Sequence, residues 1–472
     1  WVMNKIIHVS KKKMEALSEE LEHYLQIEKK LTGGLAGISV ATGQTGEILY
    51  EHMGDIRMRP ASNMKLLTAS AALEVLGEEY VFRTKMLTDG KINEDTLDGN
   101  LYLQGQGDPT ILPTDLEIFV KHLRAKGINK IVGDLIADDT WYDDIRLSED
   151  MIWSDEQWYY GAQVSALTVS PTSDYDTGTV KLTVKPGEHL GDRPHLTLYP
   201  LTKYVEINNK AETVDYEVEE DDLIIERVHG GNKIVIKGKI FINSEPRKEW
   251  IAVWEPSYYP LTLFQEALLK HGMSWTGIMK RLKTPETAML LYEKQSPPLK
   301  ELLIPFMKLS NNGLGEMFVK EMGKMIYNEG TWEKGLDVLK KEIHSLGVNT
   351  NTCLIKDGSG ISHITSIPAN ELIQLLFAVQ SKSWYPVFLN SLPVSGEKER
   401  MLVGTLKDRK FPLKIKAKTG TLVSVSTLSG YLPINQHVYL FSILLNNLLD
   451  EEDGLEIEEN IIAILIKHLQ HW

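Results

Sequence analysis

The sequence predicts an α/β protein of the α+β kind, divided into more than one domain, and three observations carry that expectation. At 472 residues the chain exceeds the size at which one hydrophobic core usually keeps growing, so two or three domains are expected. Near the N-terminus two short apolar runs, Ile38-Ser39-Val40 and Ile48-Leu49-Tyr50, flank Thr42-Gly43-Gln44-Thr45-Gly46, whose glycines suit a hairpin turn, and the hairpin leads straight into an apolar helix. From about residue 170 to 250 apolar and polar residues alternate between turns, as in Val180-Lys181-Leu182-Thr183-Val184 and Lys233-Ile234-Val235-Ile236-Lys237, the pattern of a small all-β unit.

Taken in order, residues from Lys11 to Leu31 carry Met14, Leu17, Leu21, Tyr24, Leu25 and Leu31 at helical spacing, which predicts an amphipathic helix packed on a sheet. After the hairpin comes Arg59-Pro60-Ala61-Ser62-Asn63-Met64-Lys65, where Pro60 suits a helix entrance and Gly77 its end. Residues three apart share a helix face, so Ser62 and Lys65 are expected side by side near the helix N-terminus. A serine hydroxyl is a poor nucleophile until a neighbour takes its proton, and an amine does so only when burial or nearby positive charge lowers its pKa. The apolar flanks offer that burial. Taken alone, Ser-x-x-Lys reads more readily as a capping serine beside a solvated surface lysine.

Beyond Gly77 the texture turns to short strands, Phe82-Arg83-Thr84-Lys85-Met86 and Asn100-Leu101-Tyr102-Leu103-Gln104. Gly105-x-Gly107 has no third glycine or Lys-Ser/Thr opening a helix, so it is not read as a nucleotide site. A helix is expected over 115–127. A strand then ends in the acidic, aromatic loop Asp138-Asp139-Thr140-Trp141-Tyr142-Asp143-Asp144, which lacks the glycine and bidentate glutamate of a calcium loop; no metal is expected. Tyr259–Leu268 reads as a helix, and Ser296-Pro297-Pro298-Leu299 as the return to the first domain. The apolar run Ile457 to Leu469 is a helix too short to span a bilayer, expected to pack on the sheet.

Two further motifs follow Ser62-x-x-Lys65 in order: Ser310-Asn311-Asn312 and Lys418-Thr419-Gly420-Thr421. Ser-x-x-Lys, Ser-Asp-Asn and Lys-Thr-Gly form the signature set of penicillin-binding proteins and class A β-lactamases, and here the middle motif is Ser-Asn-Asn. The chain resembles the penicillin-binding D-alanyl-D-alanine carboxypeptidases of the low-molecular-mass class C type. Further segments share the resemblance: Gln106-Gly107-Asp108-Pro109, Leu392-Pro393-Val394-Ser395-Gly396, and Asp357-Gly358-Ser359-Gly360-Ile361-Ser362, which is followed by His363 where many members carry arginine. The resemblance implies a penicillin-recognising serine transpeptidase/β-lactamase-like domain, an antiparallel sheet flanked by helices, over 1–82 and 288–472. It also implies two inserted, largely β domains, one α/β over 83–169 and 259–287 and one all-β over 170–258.

The same resemblance implies the roles. Ser62 acylates and Lys65 takes its proton, aided by a cationic cluster. Ser310 relays a proton to the leaving amine beside Lys418, and Asn312 binds the substrate backbone. Thr419 and Thr421 hold the terminal carboxylate, Gly420 allows close main-chain pairing, and the Ser62 and Thr421 N–H groups form the oxyanion hole. Trp141, Asp143 and Asp144 are expected to read the amine end of the third stem residue, with His363 leaving carboxylate recognition weakened. The implied activity is a D-alanyl-D-alanine carboxypeptidase, with endopeptidase action beside it. It acts on peptidoglycan stem peptides, needs no cofactor, and is inhibited covalently by β-lactams. A β-lactamase and a non-catalytic β-lactam sensor or wall-binding protein stay open as alternatives, since no residue identifies a deacylating base. Relative turnover of a D-Ala-D-Ala peptide and a penicillin separates the three.

Net charge is −14, with 65 acidic against 51 basic residues, which argues against nucleic acid or anionic lipid as general partners. The single cysteine, Cys353, excludes an intramolecular disulfide and a cysteine-rich zinc site. The start Trp1-Val2-Met3 carries no signal-type apolar run and reads as a processed end. Action outside the cytoplasmic membrane, at the wall or peripheral to the membrane, is the expectation that follows from the implied substrate. Oligomeric state is left open.

Overall fold

The computed structural model describes residues 2–217 and 220–471; Trp1, Val218, Glu219 and Trp472, the first and last within the expected catalytic segments and the middle two within the expected all-β segment, lie outside the described residues. The catalytic region is built on a five-stranded antiparallel sheet in the order Ile48–His52, Leu35–Thr42, His437–Asn446, Val425–Ile434, Lys416–Leu422. Strand Val425–Ile434 is buried at nearly every position, because both sheet faces are covered, which is why its apolar residues do not simply alternate. One face packs on the N- and C-terminal helices Val2–Ile27 and Asp453–Leu469, with Leu17, Leu21, Ile457, Ile461 and Leu465 buried in one core. The expected amphipathic face of the first helix and the expected packing of the last are both present. The other face packs on a helical layer that includes Met64–Val75, Asn312–Tyr327, Trp332–Ser345 and Ala369–Ala378, whose shared core contains Leu66, Phe306, Phe318, Leu339 and Leu376. Among the described residues no helix is long and apolar enough to cross a membrane.

The inserted region starts at strand Arg83–Thr88, inside a five-stranded sheet ordered Met279–Arg281, Leu135–Asp138, Leu101–Gln106, Arg83–Thr88, Met289–Gln295. Strand Met289–Gln295 pairs antiparallel with Arg83–Thr88, Gln295 opposite Arg83. Of the two expected points of return, 288 and Ser296, this pairing favours the second: Ser296 N–H donates to Phe82 O at 2.9 Å and its Oγ accepts from Phe82 N at 2.9 Å, just outside the paired strands. The all-β unit contains a sheet ordered His195–Tyr199, Thr179–Lys185, Arg247–Ala252 and another ordered Glu206–Asn209, Lys233–Lys237, Ile224–Arg227. Leu182 and Ile251 of this unit share one core with Leu101, Phe119 and Phe264 of the α/β unit, so the two insertions are fused by a continuous apolar interior rather than set apart.

The acidic loop is explained by local bonding. Asp138 accepts from Thr140 N at 3.0 Å and Thr284 N at 2.8 Å, and Asp139 pairs with the buried Arg146 at 2.6 Å. These carboxylates satisfy backbone and guanidinium donors within the insertion.

Candidate active site

The Ser62 segment is fastened to the sheet on both sides. Thr427 Oγ1 donates to Pro60 O at 2.8 Å, and Asn63 Nδ2 donates to Lys418 O at 2.9 Å. Ala61 sits between them with φ of 47°, a left-handed conformation that costs an alanine about 1–2 kcal/mol and persists only where the surroundings over-determine it. Gly360 packs on Ala61 O so closely that no Cβ fits there, and its own φ is 86°. The chain then makes a 3₁₀ turn, Ala61–Asn63, and enters helix Met64–Val75. Ser62 and Lys65 meet across that turn, as their spacing predicts.

Lys65 Nζ lies 2.8 Å from Ser62 Oγ, 2.6 Å from Asn312 Oδ1 and 3.0 Å from Ser359 O. Asn312 Nδ2 donates to Tyr160 O at 2.9 Å, so its Oδ1 is the atom that faces the lysine. A neutral amine has two N–H bonds and one lone pair. Asn312 Oδ1 and Ser359 O, both acceptors, take the two N–H bonds. The lone pair is thereby left for the Ser62 hydroxyl proton.

Burial is what makes the amine neutral: it pulls the Lys65 pKa down to about 7, while the carboxylates of Glu316 and Asp357 oppose it. The expected cationic cluster is not what lowers it. Lys418, also fully buried, donates to Ser310 Oγ at 2.9 Å and Thr419 O at 2.8 Å. Its own pKa is held far below the usual lysine value by burial and then by Lys65.

Each residue of Ser310-Asn311-Asn312 has a separate task. Ser310 adopts φ of 57°, which turns the chain so that its hydroxyl meets Lys418. Asn311 caps helix Asn312–Tyr327, its Oδ1 accepting from Leu314 N at 3.0 Å, a role asparagine and aspartate share. Its Nδ2 also donates to Asp174 O and Tyr175 O, both at 2.9 Å. An aspartate lacks that donor, so asparagine ties the motif to the insertion.

Strand Lys416–Leu422 is the edge of the five-stranded sheet; its start is bridged by Val394, with Ala417 N donating to Pro393 O at 3.1 Å, and beyond that Thr419, Gly420 and Thr421 line the cleft, where an extended peptide can pair with the edge. A Cβ on Gly420 would stand 2.8 Å from Ser62 N and 3.0 Å from Ala61 Cβ, so only glycine lets the strand lie against the nucleophile. Thr419 Oγ1 is 2.7 Å from Thr405 Oγ1. The cleft over this edge has a volume of about 580 Å³, and Ser62, Ser310, Asn312, Thr419, Gly420 and Thr421 line it.

Trp141, Asp143 and Asp144 are not among the lining residues. Asp143 is engaged by Lys320, a fully buried ammonium at 2.6 Å that also donates to Ile145 O at 2.6 Å. Trp141 donates through Nε1 to Glu321 at 3.0 Å, and Asp144 faces Arg281 at 3.4 Å. The expected placement of these side chains in the cleft is thus corrected: their charges and donors are committed within the insertion and to helix Asn312–Tyr327. His363 does line the cleft, and its Nε2 is buried without a partner. Burial, then Arg59, lowers its pKa, which favours a neutral imidazole.

Four contributors escaped sequence reasoning. Asp155, Tyr159 and Tyr160 line the cleft together with the motifs. Among the described residues the Asp155 carboxylate has no hydrogen bond or ion pair, and half-burial raises its pKa. Glu316 lies one helical turn beyond Asn312. Its carboxylate accepts from Gly358 N at 3.0 Å, Ser359 N at 2.7 Å and Trp332 Nε1 at 2.6 Å, fixing the turn whose carbonyl holds Lys65. The i, i+4 spacing from Asn312 was a signal for it. Asp155 had none.

Because only the unprotonated amine accepts the serine proton, acylation is expected to rise with pH through about 7 and level off above it, read as the pH dependence of β-lactam acylation. Glu316 raises the Lys65 pKa, so Glu316→Gln is expected to move that limb to lower pH, at some cost in stability because its amide N–H faces a backbone donor. A limb unmoved in a folded variant would separate Glu316 from Lys65.

A cleft serine bonded to a buried lysine, joined to a Ser-x-Asn helix start and a Lys-Thr-Gly edge strand, defines a penicillin-recognising serine hydrolase. The chain belongs to the D-Ala-D-Ala carboxypeptidase 3 (S13) family, which it matches over residues 17–468. It is 35% identical over 466 residues to a D-alanyl-D-alanine carboxypeptidase of Actinomadura sp., covering 97% of this chain and 86% of that one. The crystal structure of penicillin binding protein 4 from Haemophilus influenzae has the same fold, with TM-score 0.81, 23% identity, and coverage of 93% of this chain and 97% of that chain. A second structure of that protein, complexed with a β-lactam, aligns with TM-score 0.74 at 22% identity over 93% of this chain and 96% of that chain.

Proposed function

We propose that this chain is a serine-type D-Ala-D-Ala carboxypeptidase that hydrolyses peptidoglycan stem peptides through an acyl-enzyme on Ser62. The observation that carries the mechanism is the Lys65 amine, whose two N–H bonds are occupied by Asn312 and Ser359 and whose lone pair is left for Ser62. Ser62 Oγ attacks the penultimate D-alanine carbonyl while Lys65 takes its proton. The N–H groups of Ser62 and Thr421 receive the developing oxyanion. Ser310, held by Lys418, passes a proton to the leaving amine, and the terminal carboxylate rests on Thr419 and Thr421. Water then cleaves the ester, with the same amine accepting its proton. β-Lactams, which carry a strained amide and a carboxylate in the same relation, acylate Ser62; the β-lactam complex of the Haemophilus influenzae protein supports this reading. The substrate lies outside the cytoplasmic membrane, where the protein is expected to act.

Turnover of a D-Ala-D-Ala-terminated peptide beside turnover of a penicillin tests the assignment. Fast D-alanine release with a long-lived penicilloyl adduct is expected. Rapid penicillin turnover without D-alanine release would make the chain a β-lactamase, and acylation without turnover of either would make it a sensor.

The third stem residue is read by Asp155 rather than by Asp143. An unpaired carboxylate beside the Tyr159 and Tyr160 rings suits an ammonium on an aliphatic side chain, which the rings flank. Asp155→Asn is expected to abolish the preference for a free over an acetylated side-chain amine, while Asp143→Asn leaves it intact, measured as kcat/KM on the two peptides. The reverse pattern would return the role to Asp143.

A further inference from the structure

A second cavity of about 590 Å³ opens beside the catalytic cleft, and the reaction as described makes no use of it. The two share Tyr159, Leu309, Thr405 and Lys407. Leu309 immediately precedes Ser310, and Thr405 touches Thr419, so the cavity joins the cleft where the leaving amine and its carboxylate sit. Ser62, Asp155 and His363 line the cleft but not this cavity. Of the residues placed around the acyl part, Tyr159 alone also lines this cavity.

Its walls carry the cationic residues Lys248, Lys308, Lys398, Arg400 and Lys407 against the carboxylates of Asp174, Asp176 and Glu249. Lys248 comes from the insertion and Lys398 and Lys407 from the catalytic region; among the described residues none of the three ammonium groups has an ion pair or hydrogen bond. Asp176, also on the wall, likewise has no hydrogen-bond or ion-pair partner for its carboxylate, and burial, with Asp174 adding, pushes its carboxyl up to about 7 against the pull of Arg400. Arg400 itself is taken up by Asp174, through two bonds of 2.9 and 2.5 Å. Lys248, Lys398 and Lys407 are solvent-exposed, so their ammonium groups can meet a ligand's carboxylate without giving up a protein partner, and the half-buried Asp176 carboxylate shares their cavity, which suits a ligand carrying both a carboxylate and amide groups.

We propose that this cavity is the subsite for the leaving strand of a cross-linked substrate, in which Lys248, Lys398 and Lys407 hold the terminal carboxylate of a second stem peptide and Asp176 hydrogen-bonds its backbone amides. The inference rests on the carboxypeptidase reading and extends it. When the leaving group is D-alanine, its methyl side chain needs no such room. When the departing amine belongs to the side chain of a residue in a second peptide, that peptide leaves the cleft on this side. The bond changes are the same: the Ser62 Oγ–carbon bond forms, the carbon–nitrogen bond to the second strand breaks, and its amine takes the proton relayed by Ser310. Water then supplies a hydroxyl to the acyl carbon and restores the proton to Ser62.

The test compares two substrates with the same acyl part: a peptide ending in D-Ala-D-Ala, and a dimer in which that D-alanine carbonyl is joined to the side-chain amine of a second, carboxylate-terminated stem peptide. In the Lys248→Ala/Lys398→Ala protein and in Asp176→Asn, kcat/KM for the dimer is expected to fall about ten-fold or more, the scale of a lost charge-assisted contact, while D-alanine release stays within about two-fold of wild type. Amidating the dimer's terminal carboxylate should lower its kcat/KM with wild type, and should have little effect with the double-lysine variant. Equal losses on both substrates, or no loss on the dimer, would overturn the subsite. Wild type that releases D-alanine but leaves the dimer intact would overturn it too, with the carboxypeptidase reading standing. Cleavage of neither would overturn that reading itself.

Discussion

Ser62→Ala is expected to remain folded and to lose D-alanine release and covalent penicillin labelling together, by roughly six orders of magnitude in rate as for other lost nucleophiles. The fold should survive because, among the described residues, the hydroxyl bonds Lys65 alone, whereas the turn is fastened by Pro60 O, Asn63 and Gly360. Its melting temperature should stay near wild type. Undiminished label in this variant would move the nucleophile elsewhere, and Ser310 and Ser359 are the hydroxyls to examine next.

Lys65→Ala should slow acylation by ~10²–10⁴, the usual worth of a general base, and here stability is also affected. Asn312 Oδ1 and Ser359 O would lose their donor inside the protein, each at about 1–3 kcal/mol if water does not replace it. Lys65→Met keeps most of the buried volume and separates the two effects. Stopped-flow acylation by a chromogenic β-lactam, with thermal melting beside it, is the measurement. A Met variant that acylates at the wild-type rate would exclude Lys65 as the base.

What was legible in the chain follows distance along it. The hairpin, the Ser62 turn and its lysine are local, set by Pro60, the glycines and the three-residue spacing, and they stand where the pattern puts them. Asn311 was recognisable as a motif residue, but its bonds to Asp174 and Tyr175 join segments 137 and 136 residues apart, beyond any periodicity. Residue order left the point of return at either 288 or Ser296 for the same reason: the partner of strand Met289–Gln295 is Arg83–Thr88, on the far side of the insertion. The acidic loop misled in a more instructive way. Asp143 has the chemistry of an ammonium reader and does read one, but it is Lys320 of this same chain, 177 residues away. Asp155 lay unremarked between aromatic residues, and what distinguishes it is that, among the described residues, no cation pairs with it. Such a vacancy is a property of the folded surroundings and leaves no trace in residue order.

The central claim, that hydrolysis passes through an ester on Ser62, is tested most directly by acid-quenching the protein during turnover of a D-Ala-D-Ala-terminated peptide and weighing it intact and after digestion. The account predicts a transient mass increase equal to the peptide minus its terminal D-alanine, carried by the fragment that contains Ser62 and absent from Ser62→Ala. Steady D-alanine release with no adduct at any quench time, or an adduct on a different fragment, would contradict it.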